Sequence, residues 1–180
     1  MTLTCLAADA QFGDLPLLRT LYEEAFPPQE RLPFDRLLTA LTTTDAHLTA
    51  YYADGVFVGM TYDCGCGPFV WFFYFAVVRS WRGRGVGQQI LSHLLRCCGD
   101  RRVVIDIETS DPAASNASLR RRRHAFYCRN GFRDSGVTRT FRGITYNYMV
   151  RPSASDAPDV ASFTEADLEY LFARLRPHYW

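Results

Sequence analysis

The sequence predicts one α/β domain in which helices flank a mixed β-sheet. A chain of 180 residues is long enough for one domain with a core of its own. Apolar residues recur with helical spacing in some segments and alternate as in strands in others, and the two kinds of segment follow one another along the chain. The apolar fraction of 48% and the charged fraction of 22% are those of a globular protein and argue against extended disorder.

The first half of the chain contains two predicted helices and three predicted strands. Asp14 is the expected N-cap of the first helix, and Pro27 with Pro28 ends it. Asp54 and Gly55 separate two alternating apolar runs, which is a strong hairpin signal. The predicted elements are a strand over residues 3–6, helices over 15–26 and 34–41, and strands over 47–53 and 56–62.

The second half begins with an apolar strand that is far shorter than the roughly 20 residues of a membrane span. A glycine-rich loop follows it, and the next helix ends at Gly99. Thr164 and Asp167 fit a variant of the capping box at the start of the last helix. The predicted elements are strands over 69–78, 103–108, 132–135 and 145–151, helices over 86–98, 119–130 and 163–175, a turn over 139–143 and a linker over 152–162.

The composition excludes several classes of chemistry. All 20 basic residues are Arg, which excludes a lysine Schiff base, a lysine base and a Walker-type phosphate loop. The formal net charge of +1 gives no support to a nucleic-acid partner. The six cysteines and four histidines lack metal-ligand spacing, so no metal is expected. No signal peptide or membrane segment is recognised, and a soluble, cytoplasmic protein is expected.

The most informative run is Arg-Gly-Arg-Gly-Val-Gly, residues 82–87, between a buried strand and an amphipathic helix. Glycines let the backbone approach a ligand closely, and the free N–H groups at a helix start form an anion site. Arg82 and Arg84 add charge and bidentate donors. The run therefore predicts a phosphate or pyrophosphate site. A Rossmann loop fits it less well, because its third glycine position holds Gln88.

Two motifs resemble those of the GNAT superfamily of N-acetyltransferases. Residues 82–87 match its R-x-x-G-x-G/A loop, and Tyr127 to Phe132 matches a Y-x-x-x-G-F helix end. Residues 1–151 look like one complete GNAT domain, with residues 163–180 as an extra C-terminal helix beyond the linker. The resemblance implies a mixed, mostly antiparallel central sheet flanked by helices.

The same resemblance implies an acetyl-CoA-dependent N-acetyltransferase, in which an amine attacks the thioester directly in a ternary complex. Ala76 and Val77 would pair with the pantetheine, and a nearby backbone N–H would polarise the acetyl carbonyl. Tyr127 would protonate the departing thiolate, because a phenol pKa near 10 suits a thiol. The implied cofactor-binding residues of the loop are Arg82, Gly83, Arg84, Gly85, Val86 and Gly87, with the amides of 84–87 on the pyrophosphate.

Five further residues are candidates for the acceptor side or the cofactor. Asp106 and Glu108 lie on one face of their strand, and Glu108 at its end is the predicted base or amine-binding group, with water as the alternative base. Glu30 and Arg31 are predicted substrate ligands in a loop. Arg120 stands where many GNAT members have Asn, so the usual Asn contact is replaced, and the Arg is predicted to reach a CoA phosphate.

The acceptor stays open, as a small molecule or a peptide. Residues 27–33, 63–68 and 136–144 are its predicted walls. A non-catalytic acyl-CoA sensor and, less favoured, an Arg-mediated nucleic-acid binder are the alternatives, and both a monomer and a homodimer are compatible with the sequence. The aromatic residues expected near the acceptor are Phe26, Phe34, Tyr62, Trp71 and Phe141.

Overall fold

A computed structural model describes residues 2–156 and 163–180, in which a seven-stranded sheet has the order β1-β2-β3-β4-β5-β7-β6. β4 and β5 are parallel, and the other neighbouring strands are antiparallel, so the predicted fold class is confirmed. The elements are β1 (Leu3–Ala8), α1 (Leu15–Ala25), α2 (Phe34–Thr43), β2 (Asp45–Ala53), β3 (Val56–Cys66), β4 (Phe69–Val77), α3 (Val86–Cys97), β5 (Arg102–Glu108), α4 (Ala117–Arg129), β6 (Arg133–Phe141), β7 (Ile144–Arg151) and α5 (Glu165–Tyr179).

Local signals in the sequence mark most element boundaries. Asp54 and Gly55 both have positive φ, as the predicted hairpin turn requires. The capping box of Thr164 and Asp167 is present at the start of α5. Asp14 is the N-cap residue of α1, as predicted, but its carboxylate makes no capping bond and instead accepts a hydrogen bond from the Tyr52 hydroxyl at 2.6 Å.

β6 is longer than predicted and continues to the two-residue turn before β7. The register between the two strands shifts between residues 134 and 138, and Gly136 lies in the shifted segment with a φ of 81°. This irregularity interrupts the alternation of side chains that a strand prediction relies on. Of the predicted linker, residues 157–162 lie outside the described part of the chain.

The central parallel pair of strands opens after a short ladder. β4 and β5 pair only from Phe69 to Trp71 on β4. Immediately beyond, Phe73 is an extra residue of β4, because its neighbours Phe72 and Tyr74 face consecutive residues of β3. Such a bulge bends a strand and increases its twist. We call the resulting opening, between residues 72–77 of β4 and 105–108 of β5, the β4–β5 gap.

The helices cover the two faces of the sheet unequally. α1, α2 and α5 pack on one face, and α3 and α4 pack on the other. α5 belongs to the main core through a fully buried stripe that includes Leu168, Leu171 and Leu175. The Tyr179 hydroxyl also lies 3.0 Å from that of Tyr62 on β3. In the described residues, no helix combines the length and apolar character needed to cross a membrane.

Removing part of the α5 stripe should destabilise the whole domain. Leu171 has no exposed surface, so Leu171→Ala should cost about 2–5 kcal/mol of unfolding free energy in a urea titration. Leu119→Ala is the matched control, because Leu119 is 52% exposed and its truncation should change stability by less than about 0.5 kcal/mol. Equal stability of the two variants would mean that α5 is not part of the core.

Candidate active site

The loop between β4 and α3 presents a row of free backbone donors. Gly83 and Gly85 have φ values of 75° and 79°, a conformation that residues with a side chain rarely adopt. Gly85 caps α3, and the first helical bond runs from Gln89 N–H to the Gly85 carbonyl at 3.2 Å. Among the described residues, the N–H groups of 83–88 have no acceptor. These donors and the positive end of the helix dipole suit an anion.

The two arginines of this loop contact residues that closely precede them in the chain. Arg82 donates from Nε to the Val77 carbonyl at 2.9 Å, and the guanidinium of Arg84 lies 5.5 Å from the ring centroid of Trp81. Ala76 and Val77 pair with β3 on one side only, since β5 has already separated from β4 on the other. The open edge of β4 therefore leads directly into the loop of free donors.

A cavity of about 360 Å³ lies on the opposite side of the gap from the α3 loop and collects residues that are distant in sequence. It brings together four predicted site residues, namely Glu30, Arg31, Asp106 and Glu108. Residues 30–32 and 139–141 line it, whereas residues 63–68 do not. The full lining is Phe26, Glu30, Arg31, Leu32, Trp71, Phe73, Tyr74, Asp106, Glu108, Arg123, Arg139, Thr140, Phe141, Tyr146, Tyr148, Glu169, Phe172, Arg176 and Trp180.

One wall of the cavity was not predicted. α5 and its end contribute Glu169, Phe172, Arg176 and Trp180. The aromatic residues near the end of the chain could have indicated a role in the cavity. The apolar stripe of the helix, however, is sufficient to explain why α5 packs on the core, so nothing in the sequence assigned these residues to a site. Of the aromatic residues expected near the acceptor, Phe26, Trp71 and Phe141 line the cavity, whereas Phe34 and Tyr62 lie elsewhere in the core.

Glu108 is a buried carboxylate held by arginines of α4. It is 6% exposed, and its Oε1 lies 2.6 Å from the Arg120 guanidinium, with Arg123 at 3.6 Å from Oε2. Arg120 also donates to Asn116 Oδ1 at 2.7 Å and to the Thr109 carbonyl at 2.9 Å. The Arg120 side chain is therefore engaged with the end of β5, where it orients Glu108.

Two other acidic residues of the cavity have raised pKa values. Asp106 accepts a hydrogen bond from Trp71 Nε1 at 2.8 Å, and burial raises the pKa of its carboxyl. Burial also raises the pKa of Glu30, and the nearby negative charge of Glu108 adds to this effect. Arg31 stabilises the same loop by donating to the carbonyls of residues 23 and 26 at 2.7 and 3.0 Å.

Tyr127 lies in the core between the sheet and α4. It packs against Phe126 and Phe132, with ring centroids 5.4 Å apart in each case. Burial raises the pKa of its phenol to about 12, while Arg123 lowers it and Asp106 raises it further. The phenol is less acidic than the value near 10 expected from the sequence.

A sheet that opens beside a helix start with free donors is the architecture of a protein that binds a phosphate-bearing cofactor. A family model described as Acetyltransferase (GNAT) domain matches residues 44–134, half of the chain. The chain therefore belongs to the GNAT family of acetyltransferases and is an acyltransferase by class. Members of this family use acetyl-CoA and act on amine acceptors such as peptides or small molecules.

Solved structures of this family share the fold at low sequence identity. A putative GNAT acetyltransferase from Bacteroides thetaiotaomicron is 20% identical, with a TM-score of 0.74 over 96% of this chain and 97% of that one. The ribosomal-protein-S18-alanine N-acetyltransferase from Escherichia coli is 17% identical, with a TM-score of 0.62 over 88% of this chain and 99% of that one. Arabidopsis thaliana Naa50 in complex with the bisubstrate analogue CoA-Ac-MVNAL is 16% identical, with a TM-score of 0.62 over 83% of this chain and 98% of that one. No curated protein sequence matches the chain.

Removing the partner of Glu108 should be costly. Arg120→Met leaves a 6% exposed carboxylate with only two longer contacts, to Asn116 at 3.4 Å and to Arg123 at 3.6 Å, and should lower the unfolding free energy by about 3 kcal/mol. Arg122→Met is the matched control on the exposed face of the same helix, and should stay within about 0.5 kcal/mol of the parent. Chemical denaturation at neutral pH measures both, and equal values would show that the ion pair is not a structural element.

Proposed function

We propose that the chain is an acetyl-CoA-dependent N-acetyltransferase in which the acceptor amine attacks the thioester directly, with both substrates bound at once. The observation that carries this proposal is the position of the β4–β5 gap between two sites. The free donors of residues 83–88 lie at the end of β4, and a cavity built on β4 and β5, with carboxyl groups in its wall, lies on the other side. Two substrates entering from these two sites would meet in the gap.

The residues around the α3 loop fit the cofactor that the family uses. That cofactor supplies an acetyl group on a thioester. The N–H groups of 84–87 would hold its pyrophosphate, with Arg82 and Arg84 adding positive charge, and the open edge at Ala76 and Val77 would pair with its pantetheine amides. The positive φ of Gly85 keeps this approach free of side-chain atoms.

The bulge in β4 supports an electrostatic role for the backbone at the reaction centre. Phe73 has no partner on β3, and β5 has separated from β4 by this point. In the proposed reaction, a backbone N–H near this residue would bind the acetyl oxygen as negative charge develops on it. Donors that are fixed in advance stabilise such charge without reorganisation during the reaction.

The acidic residues of the cavity divide into two proposed roles. Glu108 is positioned by Arg120, and one of its oxygens already accepts a short contact, so it is better placed to bind the acceptor's ammonium group than to remove its proton. Glu30 has a raised pKa, closer to neutral, which suits a proton acceptor acting directly or through water. The amine nitrogen then forms the new bond to the acetyl carbon, the carbon–sulfur bond breaks, and the thiolate leaves with the electron pair.

Tyr127 is the proposed donor to the leaving sulfur. Its pKa of about 12 lies above that of a thiol, so hydrogen-bond donation to the thiolate is favoured over full proton transfer. The phenol stays protonated over the whole working range of pH. The packing of its ring against Phe126 and Phe132 restricts the orientation of the side chain.

Acetyl-CoA should stabilise the protein, and one glycine should control the effect. At a concentration of about 100 times the Kd, a ligand adds about 2.7 kcal/mol, which raises Tm by roughly 5–10 °C in a protein of this size. Gly85→Ala should remove most of this shift, whereas Gly136→Ala, at the same φ in β6, should preserve it. Stabilisation by NAD but not by CoA would contradict the proposal.

Loss of the Tyr127 hydroxyl should slow turnover without weakening cofactor binding. Tyr127→Phe should lower kcat by about 100-fold in an assay of CoA release, because a positioned donor contributes at least this much. Tyr170→Phe on α5, outside the cavity lining, is the matched control and should leave kcat unchanged. A rate for Tyr127→Phe within about twofold of the parent would exclude the role. Cofactor binding without turnover of any amine would favour the acyl-CoA sensor instead.

A further inference from the structure

The cavity beside the gap is mainly aromatic. Nine of its nineteen lining residues are Phe, Tyr or Trp. Trp71 stacks on Phe73 with ring centroids 4.8 Å apart and an interplanar angle of 13°. Phe172 meets Trp71 edge to face at 5.4 Å, and Trp180 lies 5.9 Å from the same indole. Walls of this kind favour a flat apolar group, because ring pairs add to the free energy of burying its area.

The carboxyl groups of the cavity wall that have no ion pair among the described residues could bind one cation. Four carboxyl groups and four arginines line it, so the formal charges cancel and the wall has no acidic excess that would favour a polycation. Glu108 and Glu169 are paired with arginines. Within the described residues, Glu30 and Asp106 have no ion pair, and the pKa of each is raised. A bound ammonium group would relieve the cost of burying these two carboxyl groups.

An ion-paired bridge lies along one flank of the cavity. Arg139 on β6 pairs with Glu169 and lies 3.9 Å from Glu165, so the β6–β7 hairpin is tied to α5. Its guanidinium lies 4.9 Å from the ring centroid of Phe172. Arg139, Glu169 and Phe172 all line the cavity, so the bridge forms part of its wall. The volume of about 360 Å³ is near the lower end for ligand sites, which are typically about 300–1,000 Å³.

We infer that the acceptor is a small arylalkyl primary amine with a single positive charge. The ammonium group lies between Glu30, Asp106 and Glu108, and the ring packs against Trp71 and Phe172. This inference rests on the proposed acetyl transfer, because it assigns the substrate class of that same site. Polyamines are disfavoured by the four arginines of the wall, and a peptide N-terminus by the small volume and by the bridge between β6 and α5.

The test compares three amines under saturating acetyl-CoA, with CoA release as the readout. 2-Phenylethylamine represents the inferred class, spermidine represents polycations, and an alanine-terminated peptide represents extended acceptors. The value of kcat/KM for 2-phenylethylamine should exceed the values for both other amines by at least about tenfold. A tenfold ratio requires only a modest difference in transition-state binding free energy between two amines. Equal or faster use of spermidine or the peptide overturns the inference.

A matched pair of variants on α5 separates specificity from folding. Phe172→Ala removes a ring from the cavity wall, and Tyr170→Ala removes one of similar burial on a different side of the helix. Phe172→Ala should raise KM for 2-phenylethylamine by about tenfold with a smaller change in kcat, whereas Tyr170→Ala should change neither. Equal KM values in the two variants would overturn the placement of the ring.

Direct binding keeps the inference testable without turnover. Two tryptophans, Trp71 and Trp180, line the cavity, so 2-phenylethylamine should change the fluorescence of the CoA-loaded protein, and Phe172→Ala should weaken the apparent affinity. An unchanged signal, together with no consumption of this amine, overturns the inference. Failure of the proposed function is recognised separately, because acetyl-CoA would then give no thermal stabilisation.

Discussion

The short ladder between β4 and β5 is the constraint on which the rest of the site depends. Two parallel strands in the middle of a sheet normally satisfy each other's backbone groups along their length. Here the pairing covers three residue pairs and ends beside a bulge, so one edge of β4 is left open inside the domain. The opening places the free donors of the α3 loop on one side and the carboxylate at the end of β5 on the other. The proposed chemistry needs both sides.

The acceptor side is held by interactions that also stabilise the fold. α5 buries its leucine stripe in the main core, and the adjacent surface of the same helix forms the cavity wall. Arg120 binds Glu108, Asn116 and the Thr109 carbonyl, which fixes the end of β5 and its carboxylate together. The same contacts contribute to stability and to substrate specificity. The kinetic effects of a substitution at the site should therefore be compared with the unfolding free energy of the same variant.

Local signals in the sequence were sufficient for the elements and for the family. Periodicity predicted the strands and helices, and the Arg-Gly run of residues 82–87 with Tyr127 predicted the GNAT fold. Contacts between distant segments were not predictable in the same way. The part of α5 in the cavity, and the placement of Arg120 against Glu108, depend on how elements far apart in sequence pack in three dimensions. The length of β6 was not predicted, because its shifted register interrupts the alternation of side chains. The raised pKa of Tyr127 was not predicted either, because it follows from burial in the three-dimensional packing.

Amide hydrogen exchange at residues 83–88 tests the central claim most directly. These N–H groups have no acceptor among the described residues, so they should exchange quickly in the free protein. Saturating acetyl-CoA should slow them by at least about tenfold, since an opening step is then required for exchange, and NAD should leave them unchanged. The turn before β7, at residues 142 and 143, serves as the internal control. Exchange at 83–88 that is unaffected by acetyl-CoA would contradict the assignment of this loop and of the gap beside it.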